Sequence, residues 1–196
     1  MQTFLFTDIE GSTRLWERHP AAMGEAIARH EAILREAIGV RGGTVFNTAG
    51  DSVCAVFPDP DRALAAALDG QRRLLAEPWD RFAPDLTISV RMAVDAGDAE
   101  ANEGNFVGPV LNRLQRMMKT GHGGQILCTS AIGPDDLGPE LRLRDLGGHP
   151  LRDIADGRQL YQPVAPAFPA PFPPLNPERP LPRRLPLPAA TLFGRE

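Results

Sequence analysis

Lysine is nearly absent from this chain. Of 21 lysine and arginine residues only Lys119 is lysine, so arginine stands wherever either cation would serve. Cysteine is scarce too, with Cys54 and Cys128 each set in an apolar run. Two cysteines exclude a disulfide framework and point to buried free thiols in a reducing compartment, a single disulfide being the alternative. Positive charge is not in excess: the formal net charge is −4, which argues against a general nucleic-acid surface. A pocket for one nucleotide stays open, since it needs only a few local cations. No apolar run approaches a membrane span, and "MQTFLFTDIE" lacks a charged-then-apolar leader pattern. The expected location is cytoplasmic, with no membrane and no nucleic-acid partner.

What is present is ordinary globular material. A chain of 196 residues with 42% hydrophobic and 23% charged residues accommodates one substantial domain. Proline is concentrated at one end: the stretch from Pro163 onward holds more than half of the 20 prolines. "PVAPAFPAPFPPLNPERPLPRRLPLPAA" suits an extended polyproline linker, or, as a weaker reading, a PxxP ligand.

Ahead of it, helical and strand patterns alternate. Residues 2–8 form a short apolar strand. Met23, Ile27, Leu34 and Ile38 stripe a helix over 20–39, stopped by Gly42-Gly43. Val45 to Phe57 reads as a hairpin broken at Gly50-Asp51. Asp59-Pro60 caps a helix carrying Leu64, Leu68 and Leu75. "LTISVRMAV" (86–94) alternates as a half-buried strand, Gly108-Pro109 opens a helix through Met118, and "QILCTS", "LRLRDLG" and "RQLYQ" are closing strands. The pattern predicts an α+β fold, ferredoxin-like (βαββαβ), with helices on one face of a mostly antiparallel sheet and a small C-terminal αβ extension.

Three groups of residues could carry chemistry. In "FTDIEGST", Asp8 ends a strand and Gly11-Ser12-Thr13 opens a helix, a placement suited to a divalent cation and to phosphate oxygens. Helix capping explains Asp8 or Ser12 equally well. Asp51, alone, is an ordinary turn residue; beside the first strand it would join Asp8 in chelating a pair of metal ions. Asn112 and Arg116, at i and i+4, share a helical face. Together they could orient a ribose and neutralise a phosphoryl group, and a solvated polar face accounts for them nearly as well.

Taken in order, "FLFTDIEGSTRLWE", "GGTVFNTAGDSV", "FVGPVLNRLQRM" and "RDLGGHPLRDIADGRQLYQ" resemble the catalytic domain of class III adenylate/guanylate cyclases over residues 1–163. The likeness extends to the type placed ahead of an ATPase and helix-turn-helix module. "LPLPAATLFGRE" resembles the opening of such an ATPase, so residues 164–190 are expected to be a linker and 191–196 the start of a downstream regulatory domain. The resemblance implies that Asp8, Asp51 and the Ile9 carbonyl hold two Mg²⁺ or Mn²⁺ ions. It likewise implies that Asn112 orients the ribose, Arg116 stabilises the transition state, and Gly11, Ser12, Thr13 and Arg152 meet the triphosphate. The implied partners are a nucleoside triphosphate and a second copy of the chain, in a head-to-tail homodimer with sites at the interface.

Several positions depart from the family pattern. Asn47 and Asn105 occupy the two base-selecting positions, where adenylate cyclases typically have a lysine and an aspartate or threonine. An amide both donates and accepts, so a fixed code for adenine is lost and ATP and GTP both become candidate substrates. Arg152 stands for a lysine, in keeping with the arginine preference. Ser52-Val53 replaces the common glycine-aromatic pair. The expected function is a metal-dependent purine nucleotide cyclase; the alternative is a weak or inactive cyclase-like domain that senses nucleotide or dimerises. A diguanylate cyclase would need a glycine-rich acidic signature that is not found here.

Overall fold

The computed structural model describes residues 1–132, 141–150, 158–165, 168 and 171–177. β1 (Gln2–Ile9) leads through α1 (Ser12–Arg18) and α2 (Met23–Val40) to the hairpin β2 (Thr44–Ala49) and β3 (Ser52–Phe57). α3 (Pro60–Ala76), β4 (Val90–Gly97), the small hairpin β5 (Glu100–Asn102) and β6 (Asn105–Val107), and α4 (Pro109–Thr120) follow. β7 (Ile126–Thr129), β8 (Arg142–His149) and β9 (Arg158–Val164) complete the described elements.

One seven-stranded sheet runs β2-β3-β1-β4-β7-β9-β8, with β4 and β7 its parallel pair. The first four positions, β2-β3-β1-β4, are the ferredoxin-like core. The start of α3 is built as its sequence demands: Asp59 accepts the Arg62 N–H at 2.9 Å and Pro60 occupies the first turn. α2 ends where Gly42 and Gly43 return their N–H groups to the carbonyls of Gly39 and Ile38.

Strand alternation divides the core into two layers. Leu5, Ile9, Val53, Ala55, Phe57, Met92 and Val94 pack with α2 and α3. Phe4, Phe6, Ala93 and Leu127 pack with Val110, Leu114, Met117 and Met118 of α4. The expectation of helices on one face therefore holds for α2 and α3 only; α4, the helix of the C-terminal extension, covers the opposite face. The same arrangement corrects the predicted half-buried strand over 86–94. The strand is β4, it begins at Val90, and Met92 through Ala96 are all buried because helices cover both sides. The hairpin β5–β6, turned at Glu103-Gly104, was not foreseen.

Both cysteines are free thiols, as expected; burial pushes Cys54 up to about 11 and Cys128 to about 12. The described part of the proline-rich segment lies against the domain. Asn176 N–H donates to the Thr120 carbonyl at 2.8 Å, at the end of α4, and Leu175 joins the α4 core. His122 Nε2 donates to the Pro174 carbonyl at 3.0 Å while its ring stacks on Phe172.

Candidate active site

β1 and β3 are antiparallel neighbours, with Thr7 opposite Val53, so the β2–β3 turn sits at the end of β1. That adjacency, which spacing alone left open, brings Asp8, Ile9 and Asp51 together. Asp51 Oδ2 accepts the Ile9 backbone N–H at 2.9 Å. Each carboxylate is flanked by a left-handed glycine, Gly50 (φ 62°) just before Asp51 and Gly11 (φ 70°) between β1 and α1. Those turns let the chain reverse without a Cβ clash. Gly11 is also the residue preceding α1, so Ser12 and Thr13 form the first turn of that short helix.

Asp8 faces Arg91 directly across β1 and β4. Arg91 Nε donates to Oδ1 at 2.8 Å and Nη2 to Oδ2 at 2.7 Å, a two-pronged charge-assisted contact. Burial pushes the Asp8 carboxyl above the usual carboxylate range; Arg91 opposes that, and the Asp51 charge adds to it. Two carboxylates, together with a main-chain carbonyl, form a hard-oxygen donor set suited to Mg²⁺ or Mn²⁺. Among the described residues no group of three or more His, Cys, Asp or Glu side chains could hold a metal; Asp8, Asp51 and the Ile9 carbonyl are oxygen donors that could.

Asn47, Asn105 and Asn112 line one cavity of about 230 Å³, together with Phe6, Phe46, Cys54 and Gln115 among others. A β-bulge assembles it. Val45 pairs with Ala55 and Asn47 with Cys54, leaving Phe46 as the extra residue. A bulge re-aims side chains, and both Phe46 and Asn47 face the cavity. Phe46 meets Phe106 edge-on with ring centroids 5.0 Å apart, and both rings touch Phe4. This aromatic cluster pins β2 to the β5–β6 hairpin, which sets Asn47 near Asn105. Asn105 Oδ1 accepts the Phe106 N–H at 2.9 Å.

Asp8 and Asp51 are not among the residues lining this cavity. Arg116 lies one turn beyond Asn112 on α4, half-buried. Arg152 falls outside the described residues. Sequence reasoning missed Arg91, whose signal was a lone charge in an apolar alternating strand, visible only once β4 is paired with β1. It also missed Asp95 and Arg113, which pair in the interior.

The model of the adenylate and guanylate cyclase catalytic domain matches residues 2–133, and the chain belongs to that family. An uncharacterised protein of Mycobacterium tuberculosis is 35% identical over 199 residues, covering 98% of this chain and 66% of its own length. An adenylate cyclase of Lachancea kluyveri is 34% identical over 148 residues, covering 64% of this chain but 8% of that protein. The chain thus spans just under two thirds of the mycobacterial relative and a small part of the yeast one. Among solved structures, an adenylate cyclase from Trypanosoma brucei in its monomeric state superposes with a TM-score of 0.79 at 26% identity, over 91% of this chain and 93% of that one. No described helix is long and apolar enough to cross a membrane.

Proposed function

We propose that this domain converts a purine nucleoside triphosphate, ATP or GTP, to its 3′,5′-cyclic monophosphate and pyrophosphate. The observation that carries the reading is the Asp51–Ile9 contact at 2.9 Å, which puts Asp8, Ile9 and Asp51 at one corner of the sheet. Two divalent cations held by Asp8, Asp51 and the Ile9 carbonyl would neutralise the triphosphate and lower the pKa of the ribose 3′-hydroxyl. Asp51 fixes the end of β1 through the Ile9 N–H, so the donor oxygens are presented by a strand end and a hairpin turn tied to it. Ser12 and Thr13 offer first-turn N–H groups to phosphate oxygens, and Arg152 a guanidinium. Asn112 hydrogen-bonds the ribose and orients its 3′-oxygen toward the α-phosphorus. Arg116 neutralises charge that grows there during the in-line displacement. Its removal costs about 2–4 kcal/mol of transition-state stabilisation. Asn47 and Asn105 read the base.

Asp8 and Asp51 are not among the residues lining the cavity that holds Asn47, Asn105 and Asn112, and the family resemblance implies two chains. One protomer supplies Asp8 and Asp51 and its partner supplies the asparagines and Arg116, in a head-to-tail homodimer. A second reading, a non-catalytic nucleotide-sensing or dimerising domain, draws on Arg91: both oxygens of Asp8 are engaged by its guanidinium. Cyclic nucleotide production with Mn²⁺ by wild type and by Asp51→Ala separates the two. Product made by wild type and lost in the variant supports the cyclase. Nucleotide binding without product in wild type supports the sensor.

A further inference from the structure

Asp95, at the end of β4, is 1% exposed. Its Oδ1 accepts from Thr129 Oγ1 at 2.5 Å and from the Ala96 N–H at 2.9 Å. Its Oδ2 accepts from Arg113 Nε, and Arg113 Nη2 donates to the Ala96 carbonyl at 3.3 Å. One buried carboxylate thereby joins the ends of β4 and β7 to α4. An interior ion pair with its hydrogen bonds filled resists rearrangement, since any slip leaves a charge unpaired. One turn earlier on the same helical face, Val110 rests on Gly97: a Cβ at Gly97 would stand 2.9 Å from the Val110 Cβ. Val110 and Arg113 therefore fix both the height of α4 on the sheet and its rotation.

Asn112 precedes Arg113 by one residue, about 100° around the helix, and lines the cavity. A side-chain tip stands about 6 Å from a helix axis, so a 20° rotation would carry the Asn112 amide about 2 Å. Displacements of about 1 Å can cost roughly a hundredfold in rate. We propose that Arg113, held by Asp95 (itself fixed by Thr129) and by the Ala96 carbonyl, is a positioning residue that sets the rotation of α4 and so aims Asn112. Its guanidinium serves two acceptors from one rigid planar fork, a geometry that a lysine ammonium lacks. The activity readout of this inference rests on the cyclase reading above.

The test uses the full chain carrying Asp95→Asn, Thr129→Val, Asn112→Ala and the Asp95→Asn/Asn112→Ala pair. Asp95→Asn is expected to lower kcat roughly 10- to 100-fold, with KM for the nucleotide nearly unchanged. Thr129→Val, which removes the hydrogen bonds to Asp95 and from the Ala131 N–H but no charge, loses less. In the Asn112→Ala background Asp95→Asn adds little, because the group it aims is gone. Unchanged kcat, or the same loss in both backgrounds, overturns the proposal. If wild type makes no cyclic nucleotide, the cyclase reading fails by itself, and hydrogen exchange decides the positioning claim. Asp95→Asn should then speed exchange over residues 109–116 at least about tenfold more than in β1; equal change in both overturns it.

Discussion

Arg91 and Asp8 are cross-strand partners, and the guanidinium of one holds both carboxylate oxygens of the other at 2.7 and 2.8 Å. Asp8 is a metal ligand in the reading proposed above, so Arg91 and a divalent cation would draw on the same oxygens. Removing the guanidinium should favour the ion. Arg91→Gln is expected to raise Mn²⁺ affinity roughly tenfold, the equivalent of about one charge-assisted hydrogen bond. Electron paramagnetic resonance of free Mn²⁺ during a titration measures it without any turnover. Affinity equal to or below wild type would mean that the two cations do not compete.

A second prediction concerns acid stability. His30 on α2 is 1% exposed, and neither ring nitrogen has a hydrogen-bond partner. Burial lowers it to about 4, against a weaker upward pull from Asp51 and then Glu31. The folded state therefore keeps His30 neutral where the unfolded chain protonates it. Stability is full above the unfolded value near 6.5 and falls as pH drops through the window from about 6.5 to about 4, by up to roughly 3 kcal/mol. His30→Leu removes both the titration and two unsatisfied nitrogens. Urea midpoints at pH 7.5 and pH 5 should converge in the variant relative to wild type. An unchanged gap between them would show that His30 does not supply the pH dependence.

What the sequence made legible, and what it hid, follows from the range of the forces involved. Asp59-Pro60, Gly42-Gly43 and Gly108-Pro109 act within a turn of the chain, and the helices they bound start or stop beside them. The βαββαβ succession was legible in the alternation of patterns, while the neighbourhood of β1 and β3 in the sheet was left open by spacing. By contrast, Arg91 and Asp8 are 83 residues apart, and Asp95 and Arg113 are 18 apart; each pair exists only because strands and helix meet. The bulge at Phe46 is hidden for a related reason: one extra residue is visible only against a partner strand. Asp8, Asp51 and Asn112 were weak candidates by placement and spacing, and their roles, like the choice of Asn47, came from the family resemblance. The structure adds which of them meet: Asp51 reaches Ile9 beside Asp8, and Asn47, Asn105 and Asn112 share a cavity.

The proline-rich segment carries a third prediction. Asn176 reaches the carbonyls of Thr120 (2.8 Å from its N–H) and Gly121 (3.4 Å from its amide), the groups a helix leaves without partners at its end. Phe172 stacks on His122 and touches the space above Gly124. Phe172→Ala combined with Asn176→Ala should destabilise the chain by about 1–2 kcal/mol, a fall of about 2–8 °C in Tm. Exchange should also quicken at the amides of the last turn of α4. A double variant with wild-type Tm and exchange would show that the segment rests on the domain without supporting it.

The last prediction concerns the base. In a free amide, oxygen and nitrogen can exchange places, which would leave Asn105 indifferent to what it meets. Here its Oδ1 accepts the Phe106 N–H at 2.9 Å, which fixes the oxygen and favours presenting the NH₂ group to a base. A donor suits the keto oxygen of guanine and is mismatched to the exocyclic amine of adenine. GTP should therefore be accepted at least as well as ATP by the wild-type chain. Asn105→Asp replaces the donor by an acceptor, which reverses the match. The ratio of kcat/KM for ATP to that for GTP is expected to rise at least about tenfold, the discrimination of roughly one correctly paired hydrogen bond. Steady-state rates with each nucleotide and Mn²⁺ provide the measurement. A ratio unmoved by Asn105→Asp, while Asn47→Lys shifts it, would assign base reading to Asn47 alone. A wild-type preference for ATP of a hundredfold or more would overturn the relaxed selectivity altogether.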